Sequence, residues 1–213
     1  GLLALWKADA ITGVSHGGAV ASWPDSSGNS NAIGTGGALY QTNVRNGLPG
    51  VLYNGVDNGT DDSLTFGVST VLWASNITQA GLVFSGESPQ AIDGVGGYQE
   101  TMSVWMERGG QYKITRNYGD GILLGPGVFA VRFAATASQF TVRKNGQKLT
   151  PLDAEYSLDS GSASYARTAW VMAFDGEDYV GGHLFEMMVF NVALSDADIQ
   201  ALENYLMLKW AIN

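Results

Sequence analysis

Two short stretches of this chain crowd enough oxygen-bearing side chains to hold a cation. Asp25, Ser27, Asn29 and Asn31 alternate through the run DSSGNSN, and Asp57, Asp61 and Asp62 lie close together further on. Carboxylates, amides and loop carbonyls suit a hard cation such as calcium. Clustered carboxylates also repel one another unless something neutralises them. The candidate metal ligands are therefore Asp25, Asn29, Asp57, Asp61 and Asp62, in an arrangement that does not match an EF-hand loop. The competing reading is two solvated turns whose Asx side chains bond their own backbone.

A second chemistry is written in aromatic rings. The chain has 6 Trp and 9 Tyr. A sugar platform needs an exposed ring with amide or carboxylate groups beside it. Trp73, Tyr98, Trp105, Tyr112 and Tyr118 fall beside polar or glycine-rich segments, with Gln99, Glu100 and Asn117 close in sequence. These eight are the glycan-binding candidates, each weighed against plain core packing. Trp6, Trp23, Trp170 and Trp210 sit at regular strand or helix positions and read as core.

Catalytic chemistry is harder to find, and no catalytic residue is assigned. Both histidines, His16 and His183, are isolated. No Ser-His-Asp set, phosphate loop or dinucleotide fingerprint is present. Glu100 and Glu107 stand at an odd spacing in the sequence, so they do not share a strand face. The run FDGEDY around Asp175 and Asp178 is loop-like.

Composition narrows the field further. The net charge of −9 repels phosphate backbones, so nucleic acid is not an expected partner. Cysteine is absent, which excludes disulfides, thiolate metal sites and cysteine nucleophiles. No leader pattern and no stretch long enough to span a bilayer is read, so membrane insertion is not expected. The start at Gly1, almost directly in an apolar segment, reads as an excised domain or a processed product. Length (213 residues) and a 45% hydrophobic fraction allow one sizeable core, and no linker or repeat divides the chain, so residues 1–213 are expected to form one domain.

The elements that must position these residues are mostly strands. Turn signals recur every 8–12 residues, which indicates a sandwich or barrel. Asn145-Gly146 between two alternating runs marks a type I′ hairpin. Gly86 to Gly97 reads as a glycine-rich loop. The exception is the end of the chain. Ser195 is a helix N-cap with Asp198 three residues on, Leu194 and Ile199 form a staple, and Ile199, Leu202, Leu206 and Trp210 follow helical spacing. A helix over about 195–210 is predicted to dock an apolar face on a sheet, with Lys209 suited to its negative end.

Three segments resemble LamG-like domains of the concanavalin A-like lectin and glucanase superfamily. They are WPDSSGNSN (Trp23–Asn31), GLPGVLYNGVDNGTDDSL (Gly47–Leu64) and GGHLFEMMVFNVALSDADIQALENYLMLKW (Gly181–Trp210), in that family's order and spacing. Phe185 departs from the pattern, where small or acidic residues are frequent, and residues 67–165 match no motif. The resemblance implies an all-β jelly roll of two antiparallel sheets packed face to face, closed by the terminal helix. It implies a concave sheet and rim loops that bind glycans or proteins, often with calcium, in secreted bacterial proteins and phage tail or virion proteins. Enzymes of that superfamily carry Glu-x-Asp-x-x-Glu or Glu-x-Asp-x-Glu on one strand, and no such run exists here.

The resulting expectation is a non-catalytic, extracellular, cell-surface or virion recognition module for a surface or polysaccharide glycan. The alternative is a structural virion or surface-layer component that assembles with other proteins or with itself. A glycoside hydrolase or lyase is the remaining reading.

Overall fold

The computed structural model describes residues 1–55, 59–66, 69–79, 81–88, 91–98, 101–108, 111–133, 140–156, 165–172 and 180–213. Among these lie seventeen strands, β1 to β17 in chain order, one α-helix, α1 (Asp196–Trp210), and a short 3-10 turn at Ala8–Ala10. The first sheet runs in space β14 (Gln147–Lys148), β13 (Thr141–Lys144), β12 (Gly125–Phe133), β7 (Ser69–Gln79), β17 (Gly181–Phe190), β5 (Leu48–Asn54) and β4 (Leu39–Arg45), with β1 (Leu2–Lys7) also paired to β17. The second runs β15 (Asp153–Tyr156), β11 (Gln111–Asp120), β10 (Thr101–Arg108), β9 (Ala91–Tyr98), β8 (Leu82–Ser88), β16 (Tyr165–Val171), β6 (Gly59–Phe66), β3 (Ile33–Gly34) and β2 (Ser22–Trp23). Pairing within both sheets is antiparallel. The predicted two-sheet jelly-roll sandwich with one C-terminal helix is what forms.

Period-two alternation explains the layers. On β7, Val71, Trp73 and Ile77 enter the core between the sheets, while Leu72 and Ala74 face the helix. On β12, Phe129, Val131 and Phe133 point inward, and Val128 and Ala130 point to the helix. These strands are covered on both faces, which is why they read as nearly continuous apolar runs. The far sheet adds Trp23, Ile33, Leu64, Val83, Phe84, Met102, Tyr118 and Val171 to the inter-sheet core.

The helix docks as its spacing predicts. Ile199, Leu206 and Trp210 are buried on the first sheet, and Leu202 packs beside them. The Ser195 hydroxyl accepts from the Asp198 amide at 3.1 Å, a cap worth about 1 kcal/mol. Lys209 stands in the last turn as predicted, with its ammonium paired to Glu186 and Asp9. The last carbonyls are taken by the turn between β4 and β5, where Arg45 Nε donates to Trp210 O at 2.7 Å and Asn46 Nδ2 to Lys209 O at 2.8 Å. Phe185 stacks on Trp210 with ring centroids 4.9 Å apart. Gly50 leaves room for that ring, since a Cβ there would stand 3.1 Å from two Phe185 carbons.

Elsewhere the sequence reading needed correction. The segment read as a loop from Gly86 to Gly97 is the end of β8 and most of β9. Strands on both sides of β9 complete its ladder, and that context overrides the low strand propensity of glycine. β6 begins at Gly59, so Asp61 and Asp62 are strand residues rather than loop residues. The Asn145-Gly146 hairpin forms as predicted, with φ of 48° and 77°.

Candidate functional site

The aromatic candidates fall into two groups. Trp73 is fully buried on β7 and stacks on Phe129 with centroids 5.0 Å apart. Tyr118 is 4% exposed in the same core. Both are corrections, because inward-facing positions leave no ring for a sugar. The others cluster by topology. Tyr98, Trp105, Tyr112 and Asn117 are carried by β9, β10 and β11, three neighbouring strands of the far sheet. Their register sets Tyr98 opposite Thr101, Trp105 opposite Gly94 and Thr115, Tyr112 opposite Glu107, and Asn117 opposite Ser103. Buried Met102 and Tyr118 anchor these strands to the core. Gln99 and Glu100 lie outside the described residues.

The Asp25 loop is not a cation cage. Asp25 Oδ1 accepts from the amides of Leu5 (2.9 Å) and Ser27 (2.7 Å), and Oδ2 from the Ser27 hydroxyl (2.7 Å) and the Asn31 amide (3.0 Å). Asn29 turns its amide nitrogen, not its oxygen, to the Leu2 and Leu3 carbonyls at 2.9 and 3.0 Å. N–H and O–H donors already fill the carboxylate, so these residues do not fit calcium. Asp57 lies outside the described residues, as do the side chains of Asp61 and Asp62. Among the described residues no three His, Cys, Asp or Glu side chains gather as a metal centre.

Burial alone would raise the Asp25 carboxyl. Bonds from the Ser27 hydroxyl and from the Ser27, Asn31 and Leu5 amides outweigh it and hold the group below its ordinary 3.8. A depressed carboxyl stabilises the fold above the unfolded value and loses that contribution as pH falls through the lower folded value. Asp25→Asn places an amide NH₂ against two donors. It is expected to remove about 2 kcal/mol at neutral pH and to flatten the acid limb of stability below about pH 4. Thermal denaturation across pH reads both effects.

A buried polar constellation lies under the helix. Glu186 is fully buried; its Oε2 accepts from Lys209 Nζ at 2.7 Å and Trp210 Nε1 at 3.3 Å, and its Oε1 from the Tyr205 hydroxyl at 3.2 Å. Lys209 also meets Asp9 Oδ2 at 3.0 Å. Burial alone would lower the Lys209 pKa, but Glu186 and Asp9 bring it up to about 12. Burial, and then the Glu186 charge, raises Tyr205. Glu203, also fully buried, accepts from Arg143 Nε at 2.8 Å, and burial pushes its carboxyl up against the opposing pull of Arg143.

The Glu203 cluster was missed in the sequence. Its signal was there: Glu203 falls in step with Ile199, Leu206 and Trp210 on the apolar face. Neither carboxylate has a surface for substrate, and both hold the helix to the sheet. His183 lies on the helix-side sheet with Nε2 3.0 Å from Gln41 Oε1, and burial lowers its pKa.

A helix-backed antiparallel jelly roll with aromatic residues on a meander of its other sheet is a two-layer β-sandwich domain. Among solved structures the chain is similar to Domain 4 of AbnA, a GH43 extracellular arabinanase from Geobacillus stearothermophilus, in complex with arabinotriose. That match has 15% identity, 95% of this chain, 98% of that chain and a TM-score of 0.63. It is similar to Trypanosoma rangeli sialidase in complex with sialic acid, at 13% identity over 98% of this chain with a TM-score of 0.65, but spans only 33% of the sialidase chain. It also resembles the structure of botulinum neurotoxin type C whose cell entry is dependent upon interaction with two ganglioside molecules. Here identity is 12% over 96% of this chain and 51% of that chain, with a TM-score of 0.65. No family model matches the chain. No curated protein matches it either. At these identities the likeness shows the fold, which enzymes and binding domains share.

Proposed function

We propose that this chain is a non-catalytic recognition module that binds a carbohydrate through the β9–β11 meander of the far sheet. The observation that carries the reading is the placement of Tyr98, Trp105, Tyr112 and Asn117 on those three adjacent strands. Support comes from neighbours of the same fold that hold arabinotriose or act through gangliosides, and from the two buried carboxylates, which are enclosed under the helix. The setting is an extracellular bacterial or phage tail surface. Among the described residues no helix is long and apolar enough to cross a membrane.

A glycan array that includes arabinotriose and ganglioside headgroups tests the proposal. It is run with calcium and with chelator, because Asp57, Asp61 and Asp62 stand close in sequence. Binding is expected, and Trp105→Ala and Tyr112→Ala are each expected to weaken it at least tenfold. An array without signal in either condition overturns the proposal.

A second reading, a structural virion or surface-layer component, draws on Leu208 (83% exposed) on the outer side of α1 and on the part of the Tyr205 ring left exposed at its flank. Self-association of the wild-type chain that Leu208→Lys abolishes would support it, and a concentration-independent monomer would remove it.

A further inference from the structure

We infer that the loop 25–31 is an edge guard: its side chains stand in for a missing strand beside β1, and lifting them opens a strand-addition site for a second copy of this chain. β1 forms its ladder with β17 on one side. The open side of such a strand carries unpaired N–H and C=O groups that template another chain. Here those groups are met one by one. The Leu2 carbonyl accepts from Asn29 Nδ2 at 2.9 Å, and the Leu3 carbonyl from Asn29 Nδ2 at 3.0 Å and Asn31 Nδ2 at 2.8 Å. The Leu5 amide donates to Asp25 Oδ1 at 2.9 Å, and the Leu5 carbonyl accepts from the Ser26 amide at 2.7 Å. The backbone answers at one point alone among the described residues, where Ser26 meets Leu5 and Asp25 bridges to Trp6.

The loop cannot hand the ladder on. Its backbone turns left-handed at Gly28 (φ 90°) and Ser30 (φ 64°), so it presents no extended edge of its own. The alternation of Asp25, Ser27, Asn29 and Asn31, which resembles cation ligation in sequence, is thereby explained by strand geometry. Asp25 organises the loop through three of its four bonds and meets the Leu5 amide with the fourth, while the Ser27 hydroxyl and the two asparagines reach the strand carbonyls.

A bare β1 edge is complementary to itself. Two copies related by a two-fold axis would pair their β1 strands antiparallel and join their helix-side sheets into one, an isologous joint. The occupant this edge fits is therefore a second copy of the chain.

The test compares the wild type with Asp25→Ala/Asn29→Ala/Asn31→Ala by light scattering over a concentration series, with far-UV circular dichroism to verify folding. The guard-less variant is expected to gain a species of twice the monomer mass as concentration rises, beyond any the wild type shows. Its Leu5 amide should exchange fast when dilute and slowly in the dimer. A folded variant whose mass matches the wild type at every concentration overturns the inference. If the triple variant fails to fold, Asn29→Ala/Asn31→Ala, which keeps the Asp25 hub, decides. Dimer formation by this double variant supports the guard. A folded monomer, or a second loss of folding that makes the loop a core element, overturns it. Glycan binding by the far sheet is read separately, so either idea can fail alone.

Discussion

Glu186→Ala should remove about 3–5 kcal/mol of folding stability, more than a typical single substitution. The carboxylate is fully buried and receives three donors, Lys209 Nζ, Trp210 Nε1 and the Tyr205 hydroxyl. Deleting it leaves an ammonium whose side chain is only 15% exposed, with the partly exposed Asp9 as its remaining anion. Two more donors from the same helix lose their acceptor, so α1 loosens from the sheet as a unit. Glu186→Gln keeps the shape and should cost less. Urea unfolding monitored by tryptophan fluorescence measures the difference, and a loss under about 1 kcal/mol would show the cluster to be energetically minor.

The same cluster fixes an alkaline signature. Lys209 is raised from 10.5 to about 12, through Glu186 and Asp9. A raised lysine contributes stability that is complete below the unfolded value and lost as pH rises through the folded one. The wild type should therefore lose stability between these two values, and Glu186→Ala should show a flatter limb there.

Much of this fold was legible because local signals and packing agreed. The α1 cap, its apolar stripe and the Asn145-Gly146 turn each follow from a few neighbouring residues. β9 was illegible for the opposite reason: Gly94, Gly96 and Gly97 become strand only because β8 and β10 flank them. The site was less legible than the fold. Trp73 and Tyr118 have the composition of a sugar platform, and only the side of the strand they occupy shows them to be core. Asp25 and Asn29 have the composition of calcium ligands, and only their partners, all on β1 or within the loop, show otherwise. Glu186 stands in an apolar strand run, and its meaning depends on residues far along the chain.

Gly182→Ala is expected to cost about 3 kcal/mol, combining steric overlap with backbone strain. Gly182 has φ of 133° and sits at a register shift between β17 and β7. An added Cβ would collide with the Asn76 carbonyl and stand 2.8 Å from Ile77 Cα and 3.0 Å from Thr78 N. All three are backbone atoms in the centre of a sheet, so no rotamer change relieves the overlap. Gly34→Ala is the control: its Cβ meets nothing within 4 Å, and it should be close to neutral. Equal melting temperatures for the two variants would contradict this account of Gly182.

β17 pairs with β1, β5 and β7, so the middle of one sheet is supplied by a strand far along the chain from the first two of them. Arg45 likewise waits for Trp210, 165 positions later, before its guanidinium finds a carbonyl. During synthesis on the ribosome, the first strands emerge with their central neighbour still untranslated. Their apolar faces must stay unpaired, or be sheltered by a chaperone, until β17 clears the exit tunnel. The first sheet therefore closes only once β17 has been made, and a truncation that removes β17 would leave β1, β5 and β7 without their shared partner.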